Sequence, residues 1–301
     1  HGDSLYVWAG VKGAPTTDGE MYSFEKNVWS PVPPLAIARN ATRCCTITAE
    51  DMMMRRRTTT TSSATSTKVV ILGCVPTKTF SIEVFDPSTN EFLSHSIPSV
   101  KTDRGSHAIA VVDSTIYLIG MSSLKLNTAS KDSEWTSIPS SRVPKSGCAG
   151  CSLGNHIFIA GGESLLKPEN GHLTDFERFD TVTEKWEAMA PMHVPRSSFE
   201  CVECGGLIYA VAGLSHKSAF LDSIEVYDPQ TNTWTLLDNK LHTKRCNHCA
   251  VVNDGKIYVV GGYNGNYIGN IEMFDPETQQ WTQKGFAQML DPRCGFAMAL
   301  V

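Results

Sequence analysis

The chain lacks any long apolar run. Nowhere in its 301 residues do 18 or more apolar positions follow one another, as a membrane-spanning helix would require. The first ten residues (HGDSLYVWAG) lack the basic-then-apolar order of a secretion signal, so the start reads as the interior of a longer parent chain. Charge is scarce too. Only 19% of residues are charged, and a net charge of −5 with a pI near 6.0 argues against a protein built as a whole to bind polyanions. No membrane partner and no nucleic acid is expected. Catalytic signatures are also missing: no nucleophile–His–acid arrangement belongs to a motif, and carboxylates are not clustered. The glycine-rich "GGYNGNYIG" lies between two strands with no helix after it, so it is no phosphate loop. The expectation is a non-enzyme without a cofactor.

Cysteine is not scarce. Ten are present, but with 41% hydrophobic residues the chain can bury a large core without disulfide staples, and no export signal is seen. Reduced thiols in the cytoplasm are expected, and the sequon Asn40-Ala41-Thr42 is read as accidental. Three CxxC pairs (Cys148/Cys151, Cys201/Cys204, Cys246/Cys249) invite a zinc reading. Aligned on the repeat described next, they fall in three different registers, and residues three apart on a strand point to opposite faces. Small side chains near a crowded axis explain them better than a shared metal. Cys44 and Cys45, beside Arg43, carry a weaker suggestion of a lowered thiol pKa.

Self-similarity dominates what is present. "SIEVFDPSTNEF" from Ser81, "SIEVYDPQTNTW" from Ser223 and "NIEMFDPETQQW" from Asn270 are nearly superimposable, and "FERFDTVTEKW" follows from Phe176. Each places an aromatic seven residues before another: Phe85 and Phe92, Phe179 and Trp186, Tyr227 and Trp234, Phe274 and Trp281, with Tyr22 and Trp29 repeating the spacing. Turn residues lie between, so each stretch reads as strand, tight turn, strand. Upstream of each comes an apolar run closing on glycine: "LYVWAG", "KVVILG", "TIYLIG", "HIFIAGG", "LIYAVAG" and "KIYVVGG". Shorter alternating runs such as "HAIAVV" precede those, giving four strands per unit and six units.

The glycine pair, the aromatic seven before Trp and the unit length resemble the kelch repeat over essentially the whole chain. The outer-strand aromatics at 29, 92, 135, 186, 234 and 281 keep to the kelch period of roughly 50 residues apart from the first gap. The resemblance implies an all-β fold, a six-bladed propeller of four-stranded antiparallel blades spanning 1–301 as one domain. Trp29, Trp135, Trp186, Trp234 and Trp281 are expected between blades. The third unit keeps Trp135 but is read with Thr128 at the paired position. The chain begins on a second strand, so "RCGFAMALV" at the C-terminus should supply the missing innermost strand beside Leu5 to Gly10 and close the ring. The oversized first gap comes from a Thr/Ser-rich insertion at 50–67, whose Arg55 to Arg57 followed by Thr58 resembles a basic-directed kinase site.

With strands a to d numbered outward from the axis, the b–c and d-to-next-a loops share one face. One position in the d–a loops is basic in every unit: Arg39, Arg104, Lys145, Arg196, Arg245 and Arg293. These are expected to ring the channel mouth as a positive funnel that favours an acidic partner. Tyr263, Asn264, Tyr267, His216, Phe220 and Lys78 on the b–c loops of that face are added as contacts. The chain resembles the C-terminal propeller of kelch-like BTB adaptors. That resemblance implies capture of a short, acidic peptide of a substrate protein and its presentation to a cullin-RING ubiquitin ligase, the cullin being engaged through a BTB domain not contained in these residues. Other kelch proteins imply actin or another cytoskeletal partner. Enzymes of this superfamily, such as copper oxidases resembling galactose oxidase, usually have seven blades and a dedicated metal set, which cannot be assembled here.

Overall fold

In a computed structural model, residues 3–48, 67–74, 79–93, 97, 100–101, 107–129, 134–164, 171–216 and 219–301 are described; the kinase-like site and all of the insertion but its last residue lie outside them. Among the described residues the regular structure is all β, in six antiparallel four-stranded blades. From a to d, blade one is Ala297–Leu300, Ser4–Trp8, Gly19–Ser23 and Val28–Val32. Blade two is Asn40–Thr48, Thr67–Cys74, Thr79–Asp86 and Glu91–Phe92, with Val100–Lys101 added beside its c strand. Blade three is Ala108–Val112, Thr115–Ile119, Ser123–Asn127 and Thr136–Ser137, and blade four is Ala149–Leu153, His156–Ala160, Phe176–Asp180 and Lys185–Ala188. Blade five is Glu200–Cys204, Leu207–Ser215, Ala219–Asp228 and Thr233–Leu236, and blade six is Cys249–Asn253, Lys256–Val260, Ile271–Asp275 and Gln280–Thr282. The six a strands contact one another in a closed cycle, each touching the a strands of the blades before and after it.

Local chemistry accounts for this regularity. In the a–b hairpin of blade six, Asp254 and Gly255 both have positive φ, as a two-residue type I′ turn requires. In blades two, four, five and six the c–d turn begins with an aspartate whose carboxylate accepts the backbone N–H two residues on, at Ser88, Val182, Gln230 and Glu277. In these blades and in blade one the turn ends on a left-handed residue, Asn27, Asn90, Glu184, Asn232 or Gln279. In blades one and five that asparagine also accepts the hydroxyl of the strand-c tyrosine, Tyr22 at 2.8 Å and Tyr227 at 2.9 Å.

The aromatics seven apart are cross-strand partners: Tyr22 opposes Trp29, Phe85 Phe92, Phe179 Trp186, Tyr227 Trp234 and Phe274 Trp281. In blade three the register differs from the sequence reading. Lys125 pairs with Thr136, which carries Leu126, not Thr128, opposite Trp135. The turn there is two residues longer than in the other blades, and Leu126 is buried. An apolar cluster fills each junction between neighbouring blades; Tyr6, Trp8, Val69, Ile71 and Phe85, for example, join blades one and two. Outer-strand tryptophans cross the same junctions by donating to the preceding blade, Trp29 to Ala287 O (3.0 Å), Trp186 to Pro139 O (2.7 Å) and Trp234 to Ala190 O (3.0 Å).

The ring closes as the sequence suggests. Leu5, Tyr6, Val7 and Trp8 pair with Leu300, Ala299, Met298 and Ala297, and Phe296 is fully buried beside them. The glycine doublet serves two neighbours at once. A Cβ on Gly261 would stand 2.7 Å from the Phe296 ring of the next blade, and one on Gly262 would stand 2.8 Å from Cys246 O of its own blade. Gly161 and Gly162 repeat this against Phe199 and Cys148.

Candidate interaction face

Among the described residues, the cations in register do not form a funnel. Arg39, Lys145, Arg196, Arg245 and Arg293 are all 0–1% exposed, and each pairs with a glutamate of the strand c of the blade it enters: Glu83, Glu177, Glu225, Glu272 and Glu20. Arg196 shows the full arrangement. Its guanidinium donates to Ala212 O (2.8 Å), Ser223 O (3.3 Å) and Glu225 Oε1 (2.7 Å). Glu225 also accepts the backbone N–H groups of His193 (2.7 Å) and Val194 (3.1 Å) and the Nδ1 of His193 (3.0 Å). Glu272 does the same for Arg245, His242 and Thr243. Burial pulls the Arg196 and Arg245 pKa down and the paired carboxylate opposes it, so each guanidinium stays charged and its charge is cancelled locally. These pairs lock each d–a loop onto the following blade. Blade three departs, with Leu124 in place of the glutamate. Arg104 and Lys78 lie outside the described residues.

Of the aromatic and polar residues expected on the b–c loops, Phe220, Tyr263 and Tyr267 come together. Phe220 meets Tyr263 edge-on at 6.0 Å between ring centroids, and Tyr263 meets Tyr267 at 5.4 Å, so blades five and six share one cluster. Tyr263 is held by backbone bridges to Cys246 and Tyr267, and the Tyr267 ring is exposed. His216 stands edge-on to His172 of the blade-four b–c loop at 5.7 Å. His172 Nδ1 lies 2.9 Å from Ser197 Oγ, which donates to Glu163 at 2.8 Å. Burial, reinforced by His216 and opposed by Glu163, lowers the His172 pKa. Asn264 lines a recess of about 460 Å³ together with Ala219, Phe220, His242, Thr243 and Lys244. Sequence reasoning missed His172, His193, His242 and Lys244. The last three precede the buried cations by one to three residues, a register offset that the alignment of the loops made available.

A second cavity, of about 680 Å³, is the axial channel lined by the a strands. Arg43 of blade two reaches Glu200 of blade five at 3.3 Å, across the full width of the ring. Burial raises the Glu200 pKa and Arg43 opposes it. Cys44, Cys45, Cys151, Cys201 and Cys249 also line the channel. The idea that Arg43 activates its neighbours is corrected. Burial, with help from Glu200, pushes the Cys44 thiol up to about 12, and burial raises Cys45 as well.

A search against family models matches residues 121–301 to the KLHDC2/KLHL20/DRC7 Kelch-repeats domain. Among curated proteins, Kelch-like protein 26 of Danio rerio is 28% identical over 190 residues, 60% of this chain and 30% of that protein. Kelch-like protein 33 of Homo sapiens is 33% identical over 135 residues, 44% of this chain and 25% of that protein. The Kelch repeat and BTB domain-containing protein 1 of cowpox virus is 28% identical over 174 residues, 55% of this chain and 30% of that protein. The chain thus spans less than a third of the length of these relatives. The solved structure of YjhT shares the fold, with a TM-score of 0.57 and 15% identity over 66% of this chain and 69% of that one. With more than half of its length matched by the family model and six kelch-type blades in a ring, the chain belongs to the kelch-repeat family.

Proposed function

We propose that this chain is a protein–protein interaction module that captures a short acidic segment of a partner on the b–c/d–a loop face, as the substrate-recognition domain of a cullin-RING ubiquitin ligase adaptor. Membership of a family of generally non-enzymatic interaction propellers supports the coarse reading. The observation that carries the finer one is the Phe220–Tyr263–Tyr267 cluster beside the recess lined by Lys244 and Asn264. Rigid aromatics next to polar donors in a partly enclosed site are the usual composition of a binding hot spot. The ligase link comes from resemblance to kelch-like BTB adaptors and is consistent with a viral relative whose name joins kelch repeats to a BTB domain.

The test is capture from a lysate of the native cell with the domain immobilised, in three forms: unaltered, Tyr263→Ala/Tyr267→Ala, and Asn155→Arg in the a–b turn of the opposite face. Loss of the same partners by the tyrosine variant, with retention by Asn155→Arg, is expected. Retention by the tyrosine variant together with loss by Asn155→Arg would place binding on the other face and overturn the reading.

A further inference from the structure

With five of the register cations cancelled by strand-c glutamates, preference for an acidic partner needs another source of positive charge on this face. Lys244 supplies it. Its side chain is 61% exposed, and its nearest carboxylate, Asp222, is 3.9 Å away. Lys12, on the same face at blade one, is instead bracketed by Asp18 at 2.8 Å and Asp291 at 2.9 Å, and so is spent within the molecule. Lys244 stands on the rim of the recess of about 460 Å³ between blades five and six, a size that suits a side chain with its flanking backbone.

The other walls fit the same ligand. Asn264 Oδ1 accepts the Asn266 N–H at 3.3 Å, which leaves its amide N–H₂ as the donor end. His242 Nδ1 is anchored 3.2 Å from Glu272 Oε2; a carboxylate only accepts, so Nδ1 carries the proton and Nε2 is the ring nitrogen left for a ligand. Phe220 forms an apolar side, continued by Tyr263 and Tyr267. One exposed cation, only loosely paired with Asp222, and an amide donor match one negative charge. A phosphate, near −2, would meet too little positive charge with Asp222 close by.

We propose that this recess is the specificity subsite for an aspartate or glutamate side chain of the partner segment, with Lys244 as the counter-charge, Asn264 as donor and His242 as a wall. The proposal rests on the loop-face reading above. It moves acid recognition from the register of the buried arginines to residues one and three positions earlier in the same loop. The charged groups around the His242 ring are Glu272 and Arg245, which cancel each other, and Lys244 and Asp222.

The probe is an array of N-acetylated, C-terminally amidated peptides, so that every carboxylate present belongs to a side chain. The labelled domain should select peptides with an aspartate or glutamate at a fixed position. Replacing that residue by glutamine or phosphoserine should weaken binding about tenfold or more, as loss of a charge-assisted hydrogen bond does. Lys244→Glu should cost at least as much, while Lys240→Glu, the same charge change at an exposed position outside the recess, should stay within about twofold. Selected peptides lost with Tyr263→Ala but indifferent to Lys244→Glu would overturn the subsite and leave the face standing. Peptides indifferent to both variants, or no peptide selected, would overturn the subsite together with the face. Preference for phosphoserine over glutamate would overturn the carboxylate assignment.

Discussion

Removing one partner of a buried lock should destabilise the propeller, whatever it does to binding. In Arg196 and Glu225 both side chains are 0% exposed. Glu225→Ala leaves a guanidinium inside the blade wall with only backbone carbonyls and a hydroxyl to meet it, and strips the acceptor from two loop N–H groups. Breaking a buried pair from one side costs about 3–5 kcal/mol. Unfolding 301 residues carries an entropy of about 0.63 kcal/mol/K at ~2.1 cal/mol/K per residue, so ~4 kcal/mol lowers Tm by roughly 6 °C. Arg196→Ala should cost a similar amount, because Glu225 is then buried without its counter-ion. The double variant should cost about 1–3 kcal/mol less than the sum of the two, since each single change already removes the shared contact. Denaturant titration gives these energies and calorimetry gives the Tm. A Tm within about 1 °C of the unaltered protein for Arg196→Ala, with loss of partner capture instead, would refute the lock and restore an exposed funnel.

Deleting 295–301 removes the innermost strand of blade one and the buried Phe296, and bares the Ser4–Trp8 edge, so the product should aggregate on size-exclusion chromatography; a truncated chain that melts like the intact one would count against closure. Gly261→Ala places a Cβ 2.7 Å from the Phe296 ring at a φ of 63° and should cost about 1–3 kcal/mol in urea unfolding, part of it recovered by Phe296→Leu. His248 is buried, and burial together with Arg245, Arg43 and Arg196 holds its pKa well below the ordinary value of 6.5. Its pKa is depressed in the folded state, so below about pH 6.5 the unfolded chain takes up a proton that the fold refuses. Stability should then fall as pH drops towards 5, and less steeply in His248→Gln, read as urea midpoint against pH.

The architecture was legible because its units are local and repeated. A strand-c aromatic and a strand-d aromatic seven residues on fix the outer hairpin in five blades, and the six blades can bury their faces only against one another. Ring closure was legible for the same reason, as a unit short of one strand at the start and a spare strand at the end. Blade three was misread by two residues at Thr128 because turn length is free to vary where the turn faces solvent, while Leu126 keeps the buried position by its register with Trp135. The cations were found but their burial was not, and the missing signal was present in the sequence. Glu20, Glu83, Glu177, Glu225 and Glu272 each stand two residues before the strand-c aromatic, and two residues on a strand return to the same face. A carboxylate sharing a face with a buried aromatic is drawn out of water, fully at Glu225 and Glu272 and partly at Glu83, and such a carboxylate calls for a cation. The five glutamates and five of the six cations are therefore one repeated feature, read as two. Blade three confirms the logic from the other side: with Leu126 and Leu124 on that face, strand c there carries no glutamate. The recess between blades five and six was harder to read. It depends on which loop residues stay exposed once the locks have formed, and that subtraction can be done only after every lock has been assigned its partner.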